Sequence, residues 1–215
     1  MIKPKELLFG TAGIPISTKN KKGDTIQGIK DVKKLSLGCF ELEFVRAINI
    51  TKDKAPEIKK AAEEQNIVLS CHAPYFINLN SQDKKKYHAS ISYITNSAKI
   101  TSLSGGYSVC FHAGYYQKEN PTKVYERIKE AIKKIVQEVK QYDQEIWIRP
   151  EVSGKPVQFG DIPEIIKLSQ EIDQVLPCID FAHNFARYAG KKNNTKQEFH
   201  KTLTELEKQL GKTAL

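Results

Sequence analysis

The chain has 215 residues, enough for one sizeable core, and no Gly/Ser/Pro-rich stretch divides it, so a single domain over 1–215 is expected. No apolar run approaches membrane-spanning length and the start MIKPKELLFG lacks the apolar region of a secretory signal, which argues against a membrane protein and for a soluble one. With 34 Lys and Arg against 25 Asp and Glu the formal charge is +9, which suits a polyanionic partner such as nucleic acid and equally a solvated lysine-rich surface.

Short runs rich in β-branched and aromatic residues recur along the chain: LLFG at 7–10, CFELEFV at 39–45, IVLSCHA at 67–73, YSVCFHA at 107–113, IWIRPEV at 146–152 and LPCIDFA at 176–182. Each reads as a strand. Between them lie polar stretches of helical period at 54–65, 84–103, 121–141, 162–173 and 195–210. The clearest is 121–141, where Val124, Ile128, Ile132, Ile135 and Val139 return every three or four residues behind a helix-opening Pro121. Alternation of strand and helix at spacings of 30 to 40 residues specifies a parallel α/β sheet, either doubly wound or a large part of a (β/α)₈ barrel. The first strand runs into GTAGIP, and neither GxGxxG nor GxxxxGK[ST] follows, which weakens a nucleotide-binding reading.

Cys39, Cys71, Cys110 and Cys178 each sit in or beside an apolar run with no CxxC spacing. They read as small buried hydrophobes of a protein kept in the reducing cytoplasm.

Metal-ligand residue types fall at the ends of successive strands: Glu43, His72, His112, Glu151, then Asp180 and His183. In a parallel barrel those carboxyl ends surround one mouth, where active sites of this architecture assemble. Imidazole with carboxylate suits Zn²⁺ and similar metals, whereas an all-oxygen set would suit Mg²⁺ or Ca²⁺. Each residue also has a plainer explanation. A lone His72 or His112 is more often a satisfied strand-end histidine, and Glu151 has Arg149 nearby as an ion-pair partner. Asp180 and His183, three apart in DFAH, are expected to leave a strand rather than lie on a helix, so ligation of adjacent metals fits them better than a shared one. Glu43 is a ligand, a group orienting a histidine, or a salt-bridged barrel residue. His88 and His200 lie among lysines in helical segments and read as solvated.

The strings CHAPYFINL, FHAGYY, RPEVSGKPVQFG and CIDFAHNFAR resemble, in order, the metal-binding strands of the endonuclease IV family of the xylose isomerase-like TIM barrel superfamily. FGTAGIP and ELEFVR resemble the first two strands of its archaeal-type members. The resemblance implies a parallel (β/α) barrel with about six of eight βα units present. It implies up to three Zn²⁺, with Mn²⁺ as the substitute: His72, His112 and Glu151 on one zinc, Glu151 bridging to a second with Asp180, and His183 on the third. It also implies hydrolysis of the phosphodiester 5′ to an abasic site in double-stranded DNA, with Glu151 essential and Arg46, Lys155 and Arg187 on the phosphates. The family's seventh and eighth strands, with further His, Asp and Glu ligands, have no counterpart before Leu215, so the expectation is a fragment, a gene model that ends early, or a natural shortening whose open barrel edge is covered by self-association or a partner. The rival class is a metal-dependent sugar isomerase or epimerase of the same superfamily, and a non-catalytic DNA-binding remnant is the third.

Overall fold

The computed structural model describes residues 3–19 and 24–214. The elements are β1 (Gly10–Ala12), α1 (Thr25–Lys34), β2 (Cys39–Glu43), α2 (Ala55–Gln65), β3 (Val68–His72), α3 (Lys84–Leu103), β4 (Ser108–Phe111), α4 (Pro121–Val139), β5 (Trp147–Pro150), α5 (Ile162–Glu171), α6 (Phe181–Arg187) and α7 (Lys196–Leu210), followed by a short 3₁₀ turn. The strands make one sheet in the order β1-β2-β3-β4-β5, with parallel ladders from β1 through β4. Parallel neighbours cannot be joined by a tight hairpin, and α1, α2 and α3 provide the crossovers. This is the parallel α/β class expected from the alternating pattern. Among the described residues no helix is long and apolar enough to cross a membrane.

The residues fall into two compact units, Met1–Tyr75 with Tyr93–Cys110 and Glu138–Trp147, and Phe76–Ser92 with Phe111–Gln137 and Ile148–Leu215. In the first unit the register aligns Glu41 with Ser70 and Ser108, and Glu43 with His72 and Cys110. Side chains alternate between the faces of a strand, so these six share one face, while Phe40, Leu42, Leu69, Cys71 and Val109 fill the other and are buried. The helix α1 opens on Asp24, whose side chain accepts from Gln27 N at 2.9 Å. Gly28 lets α1 approach closely, because a Cβ there would stand 3.2 Å from Ile14 and 3.3 Å from Phe40.

In the second unit Asn120 Oδ1 accepts from Thr122 N at 3.0 Å to start α4. Val124, Ile128, Ala131, Ile132 and Ile135 of that helix are fully buried, each large side chain contributing about 1.5–3 kcal/mol over its exposed state. Both α5 and α7 open with capping boxes, Asp161 with Glu164 and Thr195 with Glu198.

Three expectations are corrected here. The first strand runs over Gly10–Ala12 rather than LLFG, and Leu7 and Phe9 are exposed. The run LPCIDFA does not continue as a strand: residues 174–178 lie parallel to β5 through Ile148 N→Gln174 O, Leu176 N→Ile148 O, Cys178 N→Pro150 O and Val152 N→Cys178 O. Only the bridges Ile148↔Val175 and Glu151↔Cys178 are regular, since Pro150 and Pro177, opposite in that register, have no N–H to donate. Finally, DFAH does enter a helix. Asp180 is the N-cap of α6 and His183 lies in its first turn. A seven-residue helix shows too little periodicity to be seen in sequence, but its Asp cap is the signal.

Candidate metal centre

The second unit gathers His112, Glu151, Asp180 and His183. Glu151 follows β5, its backbone N–H donates to Phe111 O at 3.0 Å, and its side chain is only 7% exposed. The two carboxylate oxygens divide between two histidines: Oε2 lies 3.4 Å from His112 Nε2 and Oε1 lies 3.2 Å from His183 Nδ1. The imidazole rings are tilted at 58° with centroids 5.0 Å apart. One donor atom from each of His112, Glu151 and His183 falls within 4.8 Å of the others.

Asp180 is held to the same cluster by its place in α6. Its Oδ1 accepts from His183 N at 2.7 Å, and its Oδ2 stands 3.3 Å from His183 Nδ1. The helix turn brings them together.

Backbone groups fix the rings. His183 Nδ1 faces Val152 O at 3.1 Å, with Glu151 Oε1 and Asp180 Oδ2 at 3.2 and 3.3 Å. His112 Nδ1 meets the Ser153 hydroxyl at 3.3 Å, and Ser153 is fully buried. Gly154 makes room for this packing, since a Cβ there would lie 3.1 Å from His183 Cδ2. The donor set, two imidazoles with a buried and a half-buried carboxylate, fits a borderline divalent ion such as Zn²⁺.

In the first unit Glu43 and His72 end β2 and β3 in direct register. His72 Nδ1 lies 2.6 Å from Ala73 O. Arg46 and Lys155 are exposed. Arg187 is half-buried, and its Nη1 donates to the carbonyls of Ser153, Lys155 and Gln158 at 3.2, 2.9 and 3.0 Å. Arg149 Nη1 donates to Pro177 O at 3.0 Å. His88 and His200 are exposed, as their lysine-rich surroundings suggest.

The model of a family described as xylose isomerase-like TIM barrel matches residues 29–212. The chain belongs to that family. An uncharacterized protein of Methanocaldococcus jannaschii is 40% identical over 209 residues, covering 97% of this chain and 73% of its own. A probable endonuclease 4 of Aster yellows witches'-broom phytoplasma is 27% identical over 158 residues, 67% of this chain and 54% of that protein, so the chain matches about half the length of this relative. Among solved structures, endonuclease IV of Thermus thermophilus superposes with a TM-score of 0.73 at 18% identity, covering 95% of this chain and 73% of the other. A D-psicose 3-epimerase crystallised with D-fructose gives 0.68 at 16%, covering 89% and 69%. The two structural likenesses show the barrel fold, which a nuclease and an epimerase share.

Two groups near the candidate ligands escape the sequence reading. Ser153 sits two residues after Glu151 and is seen only once His112 is placed against it. Glu41 shares a face with Glu43, and burial holds its carboxyl above the usual range against the pull of His72, with Glu43 adding to the rise. Ser70 Oγ and Cys110 Sγ donate to its Oε2 at 3.3 and 3.5 Å. The signal for Glu41 is the alternation CFELE, which in a sheet buried on both sides turns two acids inward.

Proposed function

We propose that the protein is a metal-dependent nuclease of the endonuclease IV type that cuts the DNA phosphodiester 5′ to an abasic site. The observation that carries this reading is the divided carboxylate of Glu151, one oxygen toward His112 and the other toward His183. Such a group is placed to serve two cations at once. In this reading His112, Glu151, Asp180 and His183 hold Zn²⁺.

A divalent ion at this centre supplies Lewis-acid activation of a water and neutralises charge on the phosphate. The chain's own residues do the rest. Val152 O and Ser153 set the orientations of His183 and His112, and burial of Glu151 keeps its oxygens from exchanging partners with bulk water. Exposed Arg46 and Lys155 contact phosphates, which makes affinity fall as salt rises. The net charge of +9 suits that role.

Incision of a labelled duplex with one abasic site, with added Zn²⁺ and with EDTA, tests the reading: chelator-sensitive cutting is expected. A second reading rests on the epimerase neighbours at nearly the same TM-score. Turnover of ketohexoses with Mn²⁺ in place of any DNA incision would select it.

A further inference from the structure

We propose that Arg187 is a positioning residue of the metal centre, whose guanidinium locks α6 to the loop after β5 and so holds His183 against Glu151. The inference rests on the metal-centre reading above.

Helix α6 has only seven residues. A helix of that length is not stable by its own hydrogen bonds, so its position is set by what its side chains grip. Its two ends grip the same loop. In the first turn His183 Nδ1 faces Val152 O at 3.1 Å. One turn later Arg187 Nη1 reaches Ser153 O, Lys155 O and Gln158 O at 2.9 to 3.2 Å. The segment so gripped starts directly after Glu151 and carries Ser153, the hydroxyl against His112. A single cation therefore fixes both the helix bearing one histidine and the loop orienting the other.

The clasp extends to a third segment. Arg187 Nη2 lies 3.5 Å from the Tyr116 hydroxyl, which hydrogen-bonds both oxygens of Glu164 at 2.8 Å. Glu164 in turn accepts from Gly160 N and Asp161 N at 3.1 Å, closing the far end of the same loop. Tyr116 N also donates to Val157 O at 3.0 Å. A planar guanidinium can hold the loop carbonyls with one nitrogen and the Tyr116 hydroxyl with the other, which a single ammonium cannot do in the same geometry. These contacts point the charged head of Arg187 into the protein rather than toward a phosphate.

The test uses Co²⁺ as probe on the full chain, reading the visible d–d bands and the affinity for wild type, Arg187→Ala and Arg187→Lys, with circular dichroism and thermal melting of each. Arg187→Ala is expected to bind Co²⁺ about 10- to 100-fold more weakly with altered bands, as loss of groups that orient metal ligands does. Arg187→Lys is expected to recover part of the affinity, since it keeps the charge and one donor nitrogen for the loop carbonyls but loses the second nitrogen that reaches Tyr116. A folded Arg187→Ala with wild-type bands and affinity overturns the proposal. Should that variant fail to fold, Arg187→Lys decides, weakened Co²⁺ binding at wild-type melting temperature supporting it and wild-type binding overturning it. Absence of Co²⁺ bands in the wild type would instead remove the metal reading itself, and with it this proposal, before any variant is compared.

Discussion

Asp180 is joined to His183 twice, its Oδ1 capping the helix by accepting from the histidine N–H at 2.7 Å and its Oδ2 lying 3.3 Å from the ring Nδ1. Capping needs only an acceptor oxygen, whereas service to a cation needs the charge. Asparagine caps a helix about as well as aspartate but brings no charge to a cation. Asp180→Asn is therefore expected to melt like wild type while binding Zn²⁺ more weakly in a competition titration. Asp180→Ala is expected to lose about 1 kcal/mol of stability as well. Equal Zn²⁺ affinity in all three proteins would show that Asp180 only caps.

Gly160 adopts φ +110°, and a Cβ there would stand 2.8 Å from the Glu151 carbonyl. Gly211 adopts φ +79° with nothing within 4 Å. Both alanine variants carry backbone strain, but only Gly160→Ala must also displace the backbone of Glu151. Urea unfolding is expected to show Gly160→Ala destabilised by about 1–3 kcal/mol, beyond the smaller cost at Gly211. Indistinguishable midpoints for the two would contradict this reading of the turn.

Much of this architecture is legible in the sequence because its causes are local. The stripe of Val124, Ile128, Ile132 and Ile135 shows α4 outright, and those residues are fully buried. Helix α1 is not expected from its composition, since TIQGIKDVKK carries a glycine and four charges in ten residues. Its reason lies in packing: Gly28 sits against Ile14 and Phe40. Strand-end positions expose His112 and Glu151 as candidates, whereas Ser153 and the inward turn of Arg187 depend on contacts between segments about thirty to forty residues apart in sequence. No periodicity encodes those.

The buried stripe of α4 gives a quantitative check. Ile132→Ala removes a fully buried side chain and is expected to cost about 2–5 kcal/mol. Gln137→Ala, on an exposed position of the same helix, is expected to stay within about 0.5 kcal/mol of wild type. Chemical denaturation of both variants measures the difference, and a neutral Ile132→Ala would contradict the placement of the stripe.

Glu198 closes the capping box of α7, and backbone N–H groups of Asn194 and Asn193 with the Thr195 hydroxyl hold its carboxyl down at about 2. A depressed folded-state value means that its contribution is fully present above the ordinary 4.5 and is lost as pH falls through about 2. The stability advantage of wild type over Glu198→Gln should thus be constant above about pH 5, shrink below the ordinary carboxylate value and vanish near the folded one. Unfolding measured across that range checks it, and a pH-independent difference would contradict it.

Whether Glu151 serves a metal centre that cuts DNA is decided by incision of an abasic duplex by wild type and Glu151→Gln, each with Zn²⁺ and with EDTA. Wild type is expected to make a Zn²⁺-dependent incision that EDTA abolishes, and a Glu151→Gln protein with wild-type circular dichroism is expected to make none. Incision by Glu151→Gln at the wild-type rate, or cutting indifferent to chelator, would contradict it.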